Sequence, residues 1–447
     1  MMKKLFYYVL GFGLLSSAFF SCKDDTEDPV KPDPTTDTTK TEPAVKSTYP
    51  FSAKLTSDIP LFGNFTVTIS KDTALTLTTE NEAKVSTTLF AGKYDVTATG
   101  KYSENGKIYT LSGKATDVEI SEGSDGIAIE IAMEKTAKSQ IVIKEVYNGG
   151  CTKDDGKGTF QNDKYVIVYN NSGEKAVIKN FGFGIIAPAN SFSQNNNYAD
   201  NKLVYEDEGF LPANYGIWYM TELSFEPYEQ KVVVFNGAID NTATVSNSVN
   251  LANAAYYACY DADDFSSMVK PSEEIPTTQY FSAVKCGSKT TKAWPVSVTS
   301  PALVCFSLSE DPETYGTNPS NLYYEGGERN STGSNECIKI PVENVIDGIE
   351  VFSGDGKYHD TDHHKRLTSN VDKGFVKLTH YKGHTLYRNV DKEATEALKE
   401  NAEKLVTAAD GSIDAEASIK NGAHIIYIDT NDSSTDFYER EKSSLKD

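Results

Sequence analysis

The chain has two tryptophans and six histidines in 447 residues, and no two of its six cysteines are spaced C-x-x-C. Without such spacings there is no zinc cage to read from it. A G-x-S-x-G elbow, an H-E-x-x-H pair and a G-x-x-x-x-G-K loop are all missing. Nothing therefore marks a serine hydrolase, a helix-borne zinc protease or a phosphate cradle. Positive charge is scarce: 43 Lys and Arg stand against 64 Asp and Glu, a net charge of −21. A field of that sign repels phosphate, which excludes nucleic acid as a partner of the chain as a whole. Nor is there an uninterrupted apolar run of the ~20 residues that a membrane-spanning helix needs.

What is present begins at the N-terminus. Lys3 and Lys4 precede an apolar stretch at 5–20, too short to span a bilayer but suited to an export signal. Ser21 and Cys22 follow, then Lys23-Asp24-Asp25. Residues 1–21 resemble a bacterial lipoprotein signal, and the acids after Cys22 resemble the tag that sends Bacteroidetes lipoproteins to the outer face of the outer membrane. The resemblance implies a lipidated Cys22, an outer-membrane anchor and a chain facing the cell exterior. The other reading is an ordinary secretory signal with a chance cysteine. Losing the signal leaves 41 basic against 64 acidic residues, a charge of −23. Residues 22–47 are rich in Asp, Thr and Pro and lack large apolar side chains. They read as a tether that cannot fold alone. Beyond it lie Cys151, Cys259, Cys286, Cys305 and Cys337. Export permits disulfides, at most two from an odd five; buried core positions are the alternative.

The remainder is expected to be mostly β. Residues 48–136 alternate with period two, as in Phe51, Ala53, Leu55 and again in Tyr94, Val96, Ala98. Asn105-Gly106 gives a hairpin turn. "FAGKYDVTATG" resembles a late strand of transthyretin-like and other immunoglobulin-like sandwich modules. This small module reads as a spacer, since no aromatic platform marks it as carbohydrate-binding. Residues 137–447 carry strands at 141–147, 164–170, 231–236, 302–308, 345–352 and 424–429, separated by long polar loops. Asp391 caps a predicted helix whose Leu398, Ala402 and Leu405 form one stripe.

"IVIKEVYNGG", "DKYVIVYNNSGEKAVIKNFGFGI", "LSFEPYEQKVVVFNGA" and "IPVENVIDGIEVF" with the closing "DTNDSSTDFYERE" are similar to lamin-tail-type immunoglobulin-like domains. With the N-terminal signal and the small first module, the chain resembles a family of uncharacterised Bacteroidetes surface lipoproteins. The resemblance implies an elaborated lamin-tail-like β-sandwich with an inserted helix. It also implies a TonB-dependent outer-membrane receptor as partner, and it brings no catalytic residues.

Two segments could carry chemistry. His359, His363, His364, His380 and His384 fall within 26 residues, interleaved with Asp355, Asp360 and Asp362. Imidazole with carboxylate suits zinc, iron or another transition metal; a solvated polar loop is the alternative. Calcium is a second possibility, at Asp261, Asp263 and Asp264 or at 355–362, though neither has the helix-loop-helix pattern. The other segment, 314–336, holds Tyr315, Tyr323, Tyr324 and Arg329 with Asn318, Asn321 and Glu325. These types stack on and hydrogen-bond to sugars or peptides, or else pack beneath a surface loop. The expected function is that of a surface-exposed binding lipoprotein, not an enzyme, accessory to the uptake of iron, haem or glycan. A structural or adhesive surface protein and a metal-dependent hydrolase are the rivals.

Overall fold

Alternation of apolar and polar residues builds the first module. In β1 (Thr48–Thr56), Phe51, Ala53 and Leu55 are buried while the residues between them reach solvent. β2 (Thr66–Ser70), β3 (Ala74–Thr78), β4 (Lys84–Phe90), β5 (Gly92–Glu104), β6 (Lys107–Ile120), β7 (Ile127–Ala132) and β8 (Glu134–Ser139) follow. They form a three-stranded sheet, β4-β1-β7, and a five-stranded sheet, β3-β2-β5-β6-β8. Phe51, Leu55, Phe65, Val67, Val96, Leu111 and Ile131 fill one core shared by both. The structure, a computed structural model, describes residues 46–446 except 58–60, 62, 63, 72, 80–82, 105, 193, 194 and 355–361. The signal segment, Cys22, nearly all of the tether, His359 and Asp360 lie outside the described residues.

One residue, Gln140, separates the first module from the second. β9 (Ile141–Tyr147) is wholly buried. A short ribbon of β10 (Cys151–Thr152) and β11 (Thr159–Phe160) leads to β12 (Lys164–Asn170) and β13 (Ala176–Ile186). A second ribbon, β14 (Tyr198–Ala199) and β15 (Lys202–Leu203), precedes the long β16 (Phe210–Phe225). Then come β17 (Gln230–Asn236), β18 (Tyr257–Cys259), β19 (Tyr280–Val284) and β20 (Ala302–Ser307). The chain closes with β21 (Leu322–Tyr324), β22 (Glu336–Pro341), β23 (Val345–Ser353), β24 (Val376–Leu378), β25 (Thr385–Arg388) and β26 (Phe437–Arg440). The main sheet runs β24-β23-β20-β13-β16-β19-β18-β17-β12-β9-β25-β26, with β22 and β21 branching from β16. It curls until its end strands, β24 and β26, come together. Glu439 of β26 fastens the closure. It accepts from the Thr379 backbone N–H at 2.8 Å and hydroxyl at 3.1 Å, and lies 2.6 Å from His384 Nδ1. Inside the curl, Ile143, Val168, Phe183, Trp218, Phe235, Leu303 and Val351 form a dense core.

The two modules join at a hairpin tip. Glu104 lies opposite Lys107, and Gly106 between them has φ +76°. A Cβ at Gly106 would stand 3.1 Å from methyl groups of both Ile178 and Ile346, so the tip seats tightly on the second module. Lys107 Nζ donates to the Glu343 carbonyl at 2.6 Å, and the Gln140 N–H to the Gly106 carbonyl at 2.7 Å.

Several sequence expectations change. The helix expected after Asp391 is a single turn, α1 (Lys392–Glu396), which Asp391 does cap by accepting from the Ala394 N–H. Leu398 has ψ 115°, which breaks the spiral, and a 3₁₀ turn (Lys399–Asn401) follows. The expected Leu398, Ala402, Leu405 stripe therefore does not form. The strand expected at 424–429 makes only one isolated bridge, Val390 to Tyr427. Side chains take the place of a ladder. Asn401 bonds both backbone groups of His424, Thr395 both of Ile426, and Asn171 both of Tyr427. Of the two readings open for the cysteines, the five described ones take the core positions, as buried, unbridged thiols. β16 was not foreseen, because Pro212 and Gly216 interrupt its pattern. At Gly216 (φ +111°) a Cβ would lie 2.2 Å from the Val284 carbonyl oxygen, so only glycine lets β19 pair there.

Arg388, fully buried, binds the curl from inside. Its Nε donates to the Ile143 carbonyl at 2.6 Å and Nη1 to the Ile428 carbonyl at 2.9 Å. Nη2 donates to Asp347, while Asp436 and Asp429 stand 3.4 and 3.5 Å from Nη1. Burial pushes the Asp347 and Asp429 carboxyls up, against the pull of the guanidinium. Arg388→Met would leave Asp347 buried without its counter-charge. We expect a loss of about 3–5 kcal/mol in urea unfolding; a loss under ~1 kcal/mol would mean that Arg388 does not hold the sheet.

Candidate functional site

Among the described residues, the histidines of this segment do not gather into one cluster. Asp362–His364 is a 3₁₀ turn. His363 is exposed, its ring 4.6 Å from that of Tyr198. His364 is buried, with Nδ1 2.9 Å from the Ser191 carbonyl oxygen. His380 and His384 sit in the turn before β25. His384 is taken up by Glu439, and His380 lies beside the Tyr381 ring at 4.8 Å with its Nδ1 buried and, among the described residues, without a hydrogen bond. Among the described residues, no group of three or more His, Cys, Asp or Glu is placed to hold an ion. Asp261 turns its carboxylate back on the Asp263 and Asp264 N–H groups at 2.9 and 2.7 Å.

The tyrosine segment packs inward. Tyr315 and Tyr323 lie half-buried on the cluster of Phe210, Ile338 and Val304. The Tyr323 hydroxyl donates to Asn197 Oδ1 at 2.7 Å, and its ring stands 5.3 Å from Phe210. Tyr324 is half-buried in β21. Asn321 donates to the Tyr315 carbonyl, and Asn318 caps the turn after it. Arg329 pairs with Glu336 at 3.0 Å.

The two segments meet through a third, 190–207, which the sequence did not mark. Asn195 is 1% exposed. Its N–H donates to the His363 carbonyl and its Nδ2 to the Lys365 carbonyl, both at 2.8 Å. Asn197 faces the other way, accepting from Tyr323 and donating to Glu325 Oε1 at 3.0 Å. Tyr205 donates to the Arg366 carbonyl at 2.6 Å. Burial raises Glu325, opposed by its Asn197 hydrogen bond, and pushes Tyr323 up to about 12. The signal that could have found this hinge is the Asn run at 195–197, since asparagine offers both a donor and an acceptor to backbone.

Beneath it stands a fully buried ion pair. Arg366 Nε and Nη2 donate to Glu350 Oε1 at 2.8 and 2.5 Å, and the Arg366 and Leu367 N–H groups to Oε2 at 2.8 and 2.9 Å. Nη1 reaches the Ser300 carbonyl at 2.7 Å. Behind it, Asp372 accepts from Ser433 and from the Glu350 N–H.

Between 198–207 and 365–373 opens a cavity of about 430 Å³, lined by Tyr198, Lys202, Glu206, Asp207, Ser369 and Lys373 among others. Lys202 pairs with Asp207, and Ser369 donates to Glu206 at 3.3 Å. Lys365, in its wall, spends its ammonium on the Asp372 and Lys373 carbonyls. The lining thus offers donors, acceptors and an aromatic edge.

A family model described as a protein of unknown function, DUF4876, matches residues 226–444. A solved structure of a DUF4876 family protein from Bacteroides thetaiotaomicron shares the fold at a TM-score of 0.50 and 19% identity, covering 87% of this chain and 94% of that one. No curated protein matches. These findings support likeness to an uncharacterised Bacteroidetes family, and the structural match carries fold alone.

Burial sets a pH dependence. It pushes Asp163 and Asp372 up to about 6, opposed by their hydrogen bonds from Ser248 and Ser433. An unfolded Asp titrates near ~3.9. Between the two values the native state holds protons that the unfolded chain releases, so this stability is complete below ~4 and lost as pH rises through ~6. Measured by thermal melts, D163N should therefore gain on the wild type as pH rises from about 5 to about 8. A difference that stays constant across that range would contradict the assignment.

Proposed function

We propose that this chain is a lipid-anchored, outward-facing outer-membrane protein that binds a polar extracellular ligand through its loop face. Cys22 is the anchor and 22–47 the tether. The two modules, immunoglobulin-like and lamin-tail-like in this reading, carry the loop face away from the membrane, and a TonB-dependent receptor is the partner to which the ligand passes. The observation that carries the reading is the cavity at 198–207 and 365–373. Its volume falls within the range of small-molecule sites. Its lining has both signs of charge, hydroxyls and the Tyr198 ring, a combination that fits polyhydroxylated ligands better than haem, which needs apolar walls. The ligand class we favour is therefore glycan. Binding by loops on a rigid β scaffold is also the commoner use of such folds.

The test has two parts. C22S should move the protein from the membrane to the soluble fraction. Y198A, tested on a glycan array and by calorimetry, should weaken binding of whichever saccharide the wild type takes, by roughly tenfold or about 1.4 kcal/mol. Membrane association that survives C22S would remove the anchor, and an array without a saturable saccharide would remove the glycan reading.

A further inference from the structure

A second cavity, of about 400 Å³, lies between the loop that follows β19 and the turn that precedes β22. It shares no lining residue with the loop-face cavity. Lys285, Lys289, Lys292 and Arg329 surround it, with Asp264 and Glu336 as its acids. Four cations around one hollow run against the character of a chain with 64 acidic and 43 basic residues.

Two of the six charges cancel and give the site its rigid wall. Glu336 Oε2 accepts from Arg329 Nε at 3.0 Å, and Oε1 accepts from the Gly287 N–H at 3.2 Å. Both carboxylate oxygens are therefore engaged. Gly333 has φ +70°, and a Cβ there would fall 2.5 Å from Arg329 Nη2, so the absent side chain makes room for the guanidinium. Lys285 is half-buried. It donates once, to the Asp264 main-chain carbonyl at 2.9 Å, and stands 5.4 Å above the Phe265 ring. An ammonium has three donors, so Lys285 keeps capacity for a ligand. Lys289 and Lys292 are exposed. Among the described residues neither has a carboxylate within ion-pair distance. After Arg329 and Glu336 cancel, three ammonium groups face one carboxylate, an excess of two positive charges.

Like charges held around a concave surface repel, and the low-dielectric walls strengthen that repulsion. An anion in the hollow would turn it into attraction. We infer that this cavity binds a ligand carrying carboxylate, sulfate or phosphate groups with a total charge near −2. Lys285 and Arg329 are its fixed donors, and Lys289 and Lys292 close on it from solvent. The binding is charge-assisted and open to water, so salt weakens it.

The test is calorimetry on the full-length protein with inorganic sulfate, inorganic phosphate and a galacturonate trisaccharide, with neutral maltotriose as control. At least one anion should bind saturably and maltotriose should not bind here. K289Q/K292Q removes two exposed charges and should leave the melting curve unchanged while weakening the anion about three- to tenfold. Tightest binding of the trisaccharide would assign the site to an acidic saccharide, and tightest binding of sulfate or phosphate to a free inorganic anion; both support the inference. No saturable binding of any of the three, or binding indifferent to K289Q/K292Q, would overturn it. Y198A should leave this binding untouched, which separates its fate from that of the loop-face cavity.

Discussion

Strand β23 is buried along all nine of its residues and carries an acid toward each side of the sheet. Asp347 and Glu350 are three apart, so on a period-two strand they point to opposite faces. The register supports this, with Cys305 opposite Asp347 and Ala302 opposite Glu350. A carboxylate cannot stay ionised in such a place without a partner. Each acid has a fully buried arginine, Arg388 on the inner face and Arg366 on the outer. Two guanidinium groups thereby fix where the rest of the chain goes. Arg388 brings β25, β9 and the 428–436 segment to the inside of the curl. Arg366 ties the histidine-bearing segment to the outside.

The outer pair matters most for the candidate site. Glu350 Oε2 takes the backbone N–H groups of Arg366 and Leu367, so the loop is held by its main chain as well as by its side chain. Asn195 and Tyr205 then bond the carbonyls of His363, Lys365 and Arg366. Asn197 carries the connection on to Tyr323 and Glu325. Three loops far apart in sequence become one face because polar side chains satisfy backbone groups that no strand pairs. The 424–428 segment shows the same device, held by Asn401, Thr395 and Asn171 in place of a ladder. The inner pair and the module junction share a smaller polar hollow, of about 220 Å³, lined by Lys107 and Lys138 from the first module and Asp347 and Asp429 from the second. There the charges balance and the arrangement reads as a joint.

How much of this was legible in the sequence follows from which physics each part uses. Strands such as 141–147 and 164–170 were visible because apolar runs must be buried. The alternation at Phe51, Ala53 and Leu55 was visible for the same reason. β16 was hidden, since the Gly216 kink and Pro212 serve a close approach to β19 and a pairing with β22 that only the fold creates. The α1 turn stopped short because Leu398 turns extended where the stripe needed it helical. Site residues were harder. His363 and the Tyr-bearing segment were seen as separate clusters, and their contact runs through asparagines that look like ordinary loop residues. His384, a candidate metal ligand by composition, lies 2.6 Å from Glu439 where the sheet closes, a contact that no motif marks. Arg329, a candidate for stacking on or hydrogen-bonding to sugars or peptides, lines a basic hollow whose lysines at 285–292 stand in a stretch with no motif.

The Glu350–Arg366 pair organises the three loops as one unit. Hydrogen–deuterium exchange on R366K tests it most directly, because lysine keeps the charge and loses the forked contact to Glu350. Exchange should quicken at 195–205 and 363–372 together, with β9 and β12 unchanged. Exchange that rises only at 363–372, or evenly through the whole chain, would contradict it.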